Sequence, residues 1–361
     1  MYRLVLITKR IPFMKLSRNA ILVLLLLSAY SALSIPVIAQ EGPVLQLAVA
    51  VAPLAGIVDD IGGSYVETTV LLPEGIEPHA SQLPQSSVEA ANNADLLILT
   101  GHFPWEEDLI NQTGKPYISL EDYEDYGAEL SPIPGDAEHE EDGHDHEDGN
   151  PHSYWLLPKN ARAIANATRS SLSELYPSLD WFWQSMFDDF VERIERFLEL
   201  VGDTDDELGF SSLKAVVVFP AEAYVAEAFG IEVVGVLQEG ENVFISGAEL
   251  LQVQLALANG TIDLIIGSDI ARLQAGGEFA RQLGEDTSTQ VVWWRVIFFS
   301  GMSDYLSVMT YNLGAISSAL ESEQQRGINP IVTYALVGLA SILAIFAIAE
   351  AVLLLRKSSI D

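Results

Sequence analysis

Apolar residues recur along this chain at two alternating periods, and the alternation predicts its architecture. Val44–Ala52 is an apolar run broken only by Gln46, after which Pro53 to Val58 begin a helical pattern that ends at Gly62-Gly63. Val66–Leu72 reads as a strand, Ser86–Asn93 as a helix, Asp95–Thr100 as a buried strand and Pro158–Leu172 as a helix. The second half repeats the rhythm. Strands are predicted over Lys214–Val218, Glu232–Val236, Asp263–Ile266 and Gln290–Trp294, and helices over Ala221–Phe229 and Gly247–Asn259. Helices also flank the last of these strands. Short apolar strands separated by helical patterns predict parallel βαβ units.

Between the halves lies one long amphipathic pattern. Trp183, Met186, Phe187, Phe190, Val191, Ile194, Phe197, Leu198 and Val201 recur at steps of three and four, while acids and arginines hold the other face. Pro177-Ser178 offers a start and Gly202 a stop, giving about seven turns over 178–203. The fold class expected is therefore α/β: two lobes with parallel sheets, joined by one long rigid helix that leaves a cleft between them. The first lobe is assigned to 41–177 and the second to 208–325. About 290 residues between the chain's two ends are too many for one small core, which agrees with two lobes.

The ends change the picture. Residues 1–39 carry five basic residues and no acid, then an apolar block from Ala20 to Leu33, then Val37-Ile38-Ala39. That is the layout of a secretory signal. Ile331 to Leu355 is almost uninterrupted apolar sequence followed by Arg356-Lys357, which predicts a transmembrane helix over 331–355 with a short cytoplasmic tail. The body is then expected on the extracellular face of the membrane, anchored by its C-terminus.

The 361 residues hold 18 basic and 51 acidic side chains. The two terminal segments contain seven of those bases and two of those acids, so the part between them carries 11 against 49. Such a surface repels nucleic acid and concentrates cations, and it also suits a salt-adapted protein. Cysteine is absent, which excludes disulfides, thiolate metal sites and a lipid on cysteine.

Four of the six histidines fall between Glu138 and Pro158. His139, His144 and His146 belong to a Gly/Asp/Glu-rich run within an acidic loop over 136–150, whose composition cannot pack a core. His152 follows Asn150-Pro151 and leads into Tyr154-Trp155-Leu156-Leu157-Pro158, where the chain re-enters a fold. His79 lies in a Pro/Gly-bounded loop, Pro73 to Pro78, after a predicted strand. Loops at the carboxyl ends of parallel strands are where open α/β sheets bind ligands. Imidazole suits late transition metals, so the two loops predict a metal site.

At this point the chain resembles the zinc/manganese solute-binding proteins of ABC transporters, from Val44 to about Leu320. The resemblance rests on Pro73-x-Gly75-x-x-Pro78-His79 with Pro84-x-Ser86, and on Pro151-His152-x-x-Trp155 with Pro158-Lys159-Asn160-Ala161. Ala94-Asp95-Leu96, Phe229-Gly230-Ile231-Glu232-Val233-Val234-Gly235 and Tyr305-Leu306-x-x-Met309-x-x-Asn312 add to it, as does an acidic His-rich insertion before the second histidine. The resemblance implies a monomeric binding protein that captures Zn2+, with Mn2+ as the alternative, and delivers it to an ABC permease. It also implies His79 and His152 as metal ligands.

The second lobe departs from the family pattern. Counting back from Tyr224 puts Phe219 at the third ligand position, and Trp294-Arg295-Val296 replaces the segment that carries the fourth. Phenylalanine cannot bind a metal, and arginine would repel one. His102, Glu222 and Asp269 are the candidates to complete the site, with His102 and Glu222 entering the expected ligand set. Two other readings stay open. One keeps the fold but gives the cleft to an organic anion or partner, with Phe219 and Arg295 lining it. The other is a zinc hydrolase, disfavoured because no HExxH helix or nucleophile elbow occurs.

Overall fold

The computed structural model describes residues 45–79, 82–135, 149–240, 243–297, 302 and 304–327. The expected signal, the apolar segment over 331–355 and the histidines at 139, 144 and 146 lie outside them. Among the described residues no helix is long and apolar enough to cross a membrane.

The first lobe is built on four strands: β1 (Leu45–Val49), β2 (Val66–Val70), β3 (Leu96–Ile98) and β4 (Tyr117–Ile118). Their spatial order is β2-β1-β3-β4 and every pairing is parallel, with Leu47 opposite Thr68 on one side and Leu96 on the other. The apolar residues of β1 and β3 are buried because helices cover both faces of such a sheet. Helix α1 (Ala52–Gly62) packs on this sheet through Leu54, Ile57, Val58 and Ile61. Helices α2 (Gln85–Asn93), α3 (Pro104–Thr113), α4 (Leu120–Glu124) and α5 (Pro158–Leu175) complete the lobe.

Strands β5 (Lys214–Val217), β6 (Glu232–Val236), β9 (Leu264–Ser268) and β10 (Gln290–Trp294) form the second sheet, again parallel, in the order β10-β9-β5-β6. A two-stranded antiparallel ribbon, β7 (Gln238–Gly240) with β8 (Val243–Phe244), follows β6. Helices α7 (Ala223–Ala228), α8 (Gly247–Ala258) and α9 (Ala275–Thr287) belong to this lobe, and α10 (Tyr305–Gly327) closes the described chain.

The connecting helix, here α6, runs from Asp180 to Leu208, 29 residues or about 43 Å at the usual rise. Its buried face is Trp183, Phe190, Ile194, Phe197 and Val201, five of the nine residues whose spacing predicted it, while Leu198 is exposed. The helix passes straight through Gly202 and stops at Gly209, which takes the left-handed conformation (φ 71°) and donates its amide to the Asp205 carbonyl. A mid-helix glycine costs about 1 kcal/mol, less than an otherwise continuous buried face supplies. Phe190 meets Tyr305, Phe197 meets Phe229, and Arg193 reaches Asp60 at 2.7 Å, so the helix touches both lobes.

Candidate metal centre

Three loops bring His79, His102 and His152 together. Nε2 of His79 lies 3.0 Å from Nε2 of His102, and one nitrogen from each of the three rings falls within 4.8 Å of the others. The ring of His152 is 4.5 Å from that of His102 and 5.6 Å from that of His79, centroid to centroid.

Each loop is held by its own partner. The His79 loop is tied down by Trp105, whose indole Nε1–H donates to the Pro78 carbonyl at 3.0 Å. His102 follows β3 in a turn organised by the buried Glu106. That carboxylate accepts from the Thr100 amide at 2.7 Å, the Thr100 hydroxyl at 2.9 Å and the His102 amide at 3.1 Å. His152 is set by Asn150, whose Oδ1 lies 3.1 Å from both its amide nitrogen and its Nδ1. Glu77 stands 3.4 Å from Nδ1 of His79 in the same way. A ring whose Nδ1–H is engaged by an oxygen keeps Nε2 as its lone-pair donor, the arrangement metal-ligating histidines use.

Burial also favours the neutral, donor form. It lowers His102 to about 4, with His79 adding to the effect, and lowers His152 to about 3, with His102 and His79 adding. The same burial raises Glu106 to about 7, against the pull of its hydrogen bonds from Thr100 and His102.

The histidines form one wall of a cavity of about 280 Å³. Phe103 and Trp155 extend that wall, and Phe219, Ala221, Ile270 and Ile297 face it from the second lobe. The Phe219 ring stands edge-on to His152 at 5.0 Å. The lobes meet beside the cavity through buried hydrogen bonds. Asn150 Nδ2 donates to the Pro220 carbonyl at 2.9 Å, the Tyr224 hydroxyl to the Asn150 carbonyl, and the Tyr305 hydroxyl to the Leu156 carbonyl at 2.9 Å.

The other sequence candidates sit elsewhere. Glu222 is fully buried, but its Oε2 accepts from the Phe219 amide at 2.7 Å, capping the turn, and it does not line the cavity. Burial raises it to about 8, while the Ser268 hydroxyl and the Phe219 amide pull it down. Its expected place in the ligand set therefore gives way to a capping role in this geometry. Asp269 accepts from the amides of Ile270 and Val296 at 2.9 and 3.2 Å, and it too is outside the lining. Arg295 does not enter the cleft. Its guanidinium lies over the Tyr311 ring, 5.2 Å from the centroid, and its backbone is clasped by the Asn312 amide. The reading in which Arg295 supplies the counter-charge for an organic anion loses its residue.

Sequence reasoning passed over Asn150 and Glu77. Both stand two residues before a histidine, the spacing at which an Asx or acidic side chain turns back on the chain.

Two parallel α/β lobes strung on one long helix, with a histidine cluster at their junction, define the class of helix-spined two-lobed binding proteins. The chain belongs to the family described as zinc-uptake complex component A, periplasmic, whose profile matches residues 48–319. These are solute-binding proteins of metal transporters and not enzymes. The manganese-binding lipoprotein MntA of Halalkalibacterium halodurans is 24% identical over 200 residues, 55% of this chain; the match spans 62% of that relative's length. Among solved structures, zinc-bound ZnuA carrying a deletion aligns with TM-score 0.62 and 20% identity, covering 78% of this chain and 98% of that one. The manganese-bound periplasmic protein of Candidatus Liberibacter asiaticus aligns with TM-score 0.61 and 18% identity, covering 76% and 99%. At these identities the structural likeness speaks for the fold.

Proposed function

We propose that this chain is the extracytoplasmic solute-binding component of an ABC transporter for divalent metal. Its cargo is Zn2+, held by His79, His102 and His152. The observation that carries this reading is the convergence of three imidazole nitrogens within 4.8 Å. A tetrahedral ion with bonds of about 2.0–2.1 Å to nitrogen would take three such donors with little rearrangement. Mn2+ prefers more oxygen, and Glu77, the one carboxylate among the described lining residues, is engaged with His79.

Capture and release divide between the lobes. The first lobe supplies the donors on loops that are already braced, so binding spends little on ordering them. The second lobe supplies an apolar cover that keeps water from competing. Docking on the permease would lift that cover. An anchor at 331–355, read from the sequence alone, would keep the protein near the permease and raise its effective concentration there.

Calorimetric titration of the purified chain with Zn2+ and with Mn2+ tests the reading. One tight Zn2+ equivalent that is lost in His102→Ala is expected. Tighter binding of Mn2+ than of Zn2+ would move the cargo to manganese.

A further inference from the structure

The three histidines leave a tetrahedral ion one coordination position short, and the described residues of the opposite wall do not fill it. Phe219, Ala221, Ile270 and Ile297 carry no donor atom in their side chains. The polar side chain that the second lobe brings to the lining is Gln274, whose Oε1 accepts from Nε2 of Gln238 at 3.3 Å. The space is also far larger than a fourth water needs. To hold a water a cavity needs roughly 10–15 Å³, and a dry cavity of roughly 150 Å³ holds benzene. This one is about 280 Å³.

Charge points the same way. Neutral imidazoles leave both charges of Zn2+ in place, and Glu77 is the only carboxylate among the described lining residues. Among the described residues, one positive charge then stays uncompensated in a largely apolar site, an unfavourable arrangement unless an anion joins it. A single monoanion restores neutrality. A further buried group lacks a partner: Ser153 lines the cavity, is 1% exposed, and its hydroxyl has no hydrogen-bond partner among the described residues. A neutral hydroxyl is not among the usual zinc donors, but it is a good donor to a carboxylate.

We infer that this site takes Zn2+ together with a small monocarboxylate, so that the captured species is a mixed complex and not the bare ion. One carboxylate oxygen displaces water from the fourth coordination position, the other accepts the Ser153 hydroxyl hydrogen, and the apolar body packs against Phe219, Ile270 and Ile297. The exchange is of neutral water for an anion, with no covalent or redox step. The inference rests on the metal site proposed above, and differs from the metal-free anion reading because the ion itself is the counter-charge.

The test uses the purified full chain loaded with Co2+, a tetrahedral stand-in whose visible spectrum reports its ligands. Benzoate is titrated in, with acetate as the control that has a carboxylate and almost no body. A saturable spectral shift with benzoate at a concentration lower than with acetate by about tenfold or more is expected, since only benzoate has an apolar body to bury. Benzoate should also tighten apparent Zn2+ binding, and Ser153→Ala should weaken that response. A protein that binds Co2+ but shows no benzoate shift, or responds to acetate equally well, overturns the co-ligand and leaves the metal site standing. Failure to bind Co2+ or Zn2+ at all overturns the site beneath it as well.

Discussion

Toward the first lobe, the cavity presents three imidazoles, each on a loop with its own brace: Trp105 for His79, Glu106 for His102 and Asn150 for His152. Toward the second it presents Phe219, Ala221, Ile270 and Ile297, packed as ordinary apolar surface. The contrast teaches that the two lobes need not share a metal equally. One lobe can hold the ion alone, leaving the other free to act as a cover whose contacts are broken without breaking metal–ligand bonds. On the proposed function, release would be a matter of lifting apolar surface and a few hydrogen bonds, at Pro220, Leu156 and Asn150, away from an intact site.

The largest test removes the first-lobe donors. His79→Ala with His152→Ala should lower Zn2+ affinity by more than about 100-fold, beyond the 10–100-fold that outer partners of a metal site contribute. Calorimetry measures it. Unchanged affinity would place the ion elsewhere and dissolve the contrast.

Acid should act almost as strongly, and also through the first lobe. His102 and His152 stand at about 4 and about 3 in the fold, below the ordinary 6.5. The unfolded chain takes up these protons first, from about pH 6.5 downward, so their contribution to stability is full above that pH and lost as it falls toward 4 and 3. Zinc should stay bound at about pH 5.5, where an ordinary histidine is mostly protonated. Release should come only at lower pH, as His102 and His152 begin to take up protons. Equilibrium dialysis and thermal melting of the metal-free protein across this range would check both halves, and release centred near pH 6.5 would contradict them.

Asn150 joins the two faces, because its Oδ1 serves His152 while its Nδ2 donates to Pro220 of the second lobe. Asn150→Ala should weaken Zn2+ binding by about 10–100-fold and destabilise the protein by about 1–3 kcal/mol, since it leaves buried groups unpaired. Binding isotherms and urea melts give the two numbers. A stability loss with unchanged affinity would mean that Asn150 braces the lobe junction and not the ligand.

How far the sequence reveals this asymmetry depends on the kind of signal. Strands β6 and β10 run over the residues their apolar patterns predicted, Glu232–Val236 and Gln290–Trp294. Two-residue β4 and the β7–β8 ribbon have no measurable period and went unread, as did α3, whose first turn carries Glu106 and Glu107 beside few apolar residues. His79, His102 and His152 were legible because each follows a strand or a proline-bounded turn. Side-chain direction was not. Glu222, one turn from Phe219, folds back on the Phe219 amide, and Arg295, one residue past β10, turns onto Tyr311. The first choice is a local cap three residues long, and the second is made by a residue on the following helix.

A donor placed on the apolar face should even out the two walls. The Phe219 ring is 5.0 Å from that of His152, so Phe219→His sets a fourth imidazole beside the cluster. Zn2+ binding should tighten by about tenfold, equivalent to roughly 1.4 kcal/mol for a donor that must still pick its rotamer. Looser binding in a folded variant would show that the apolar cover matters more than a fourth ligand.

The smallest effect is expected from the residue that looked most hostile to a metal in the sequence. Arg295 follows β10 where the family resemblance implied a ligand, and a guanidinium in the cleft would oppose any cation. In the fold its charge stands over Tyr311, its amide and carbonyl are held by Asn312, and it does not line the cavity. Arg295 is half-buried outside the lining, and the part of its charge that reaches solvent is screened by salt, with a Debye length of about 8 Å at physiological ionic strength. Arg295→Gln should therefore change Zn2+ affinity by no more than about twofold at that ionic strength. The same titration run at low salt sharpens the point. A gain of tenfold or more on removing the charge would mean that the second lobe does bear on the ion electrostatically, and the division between a binding face and a neutral cover would fail there.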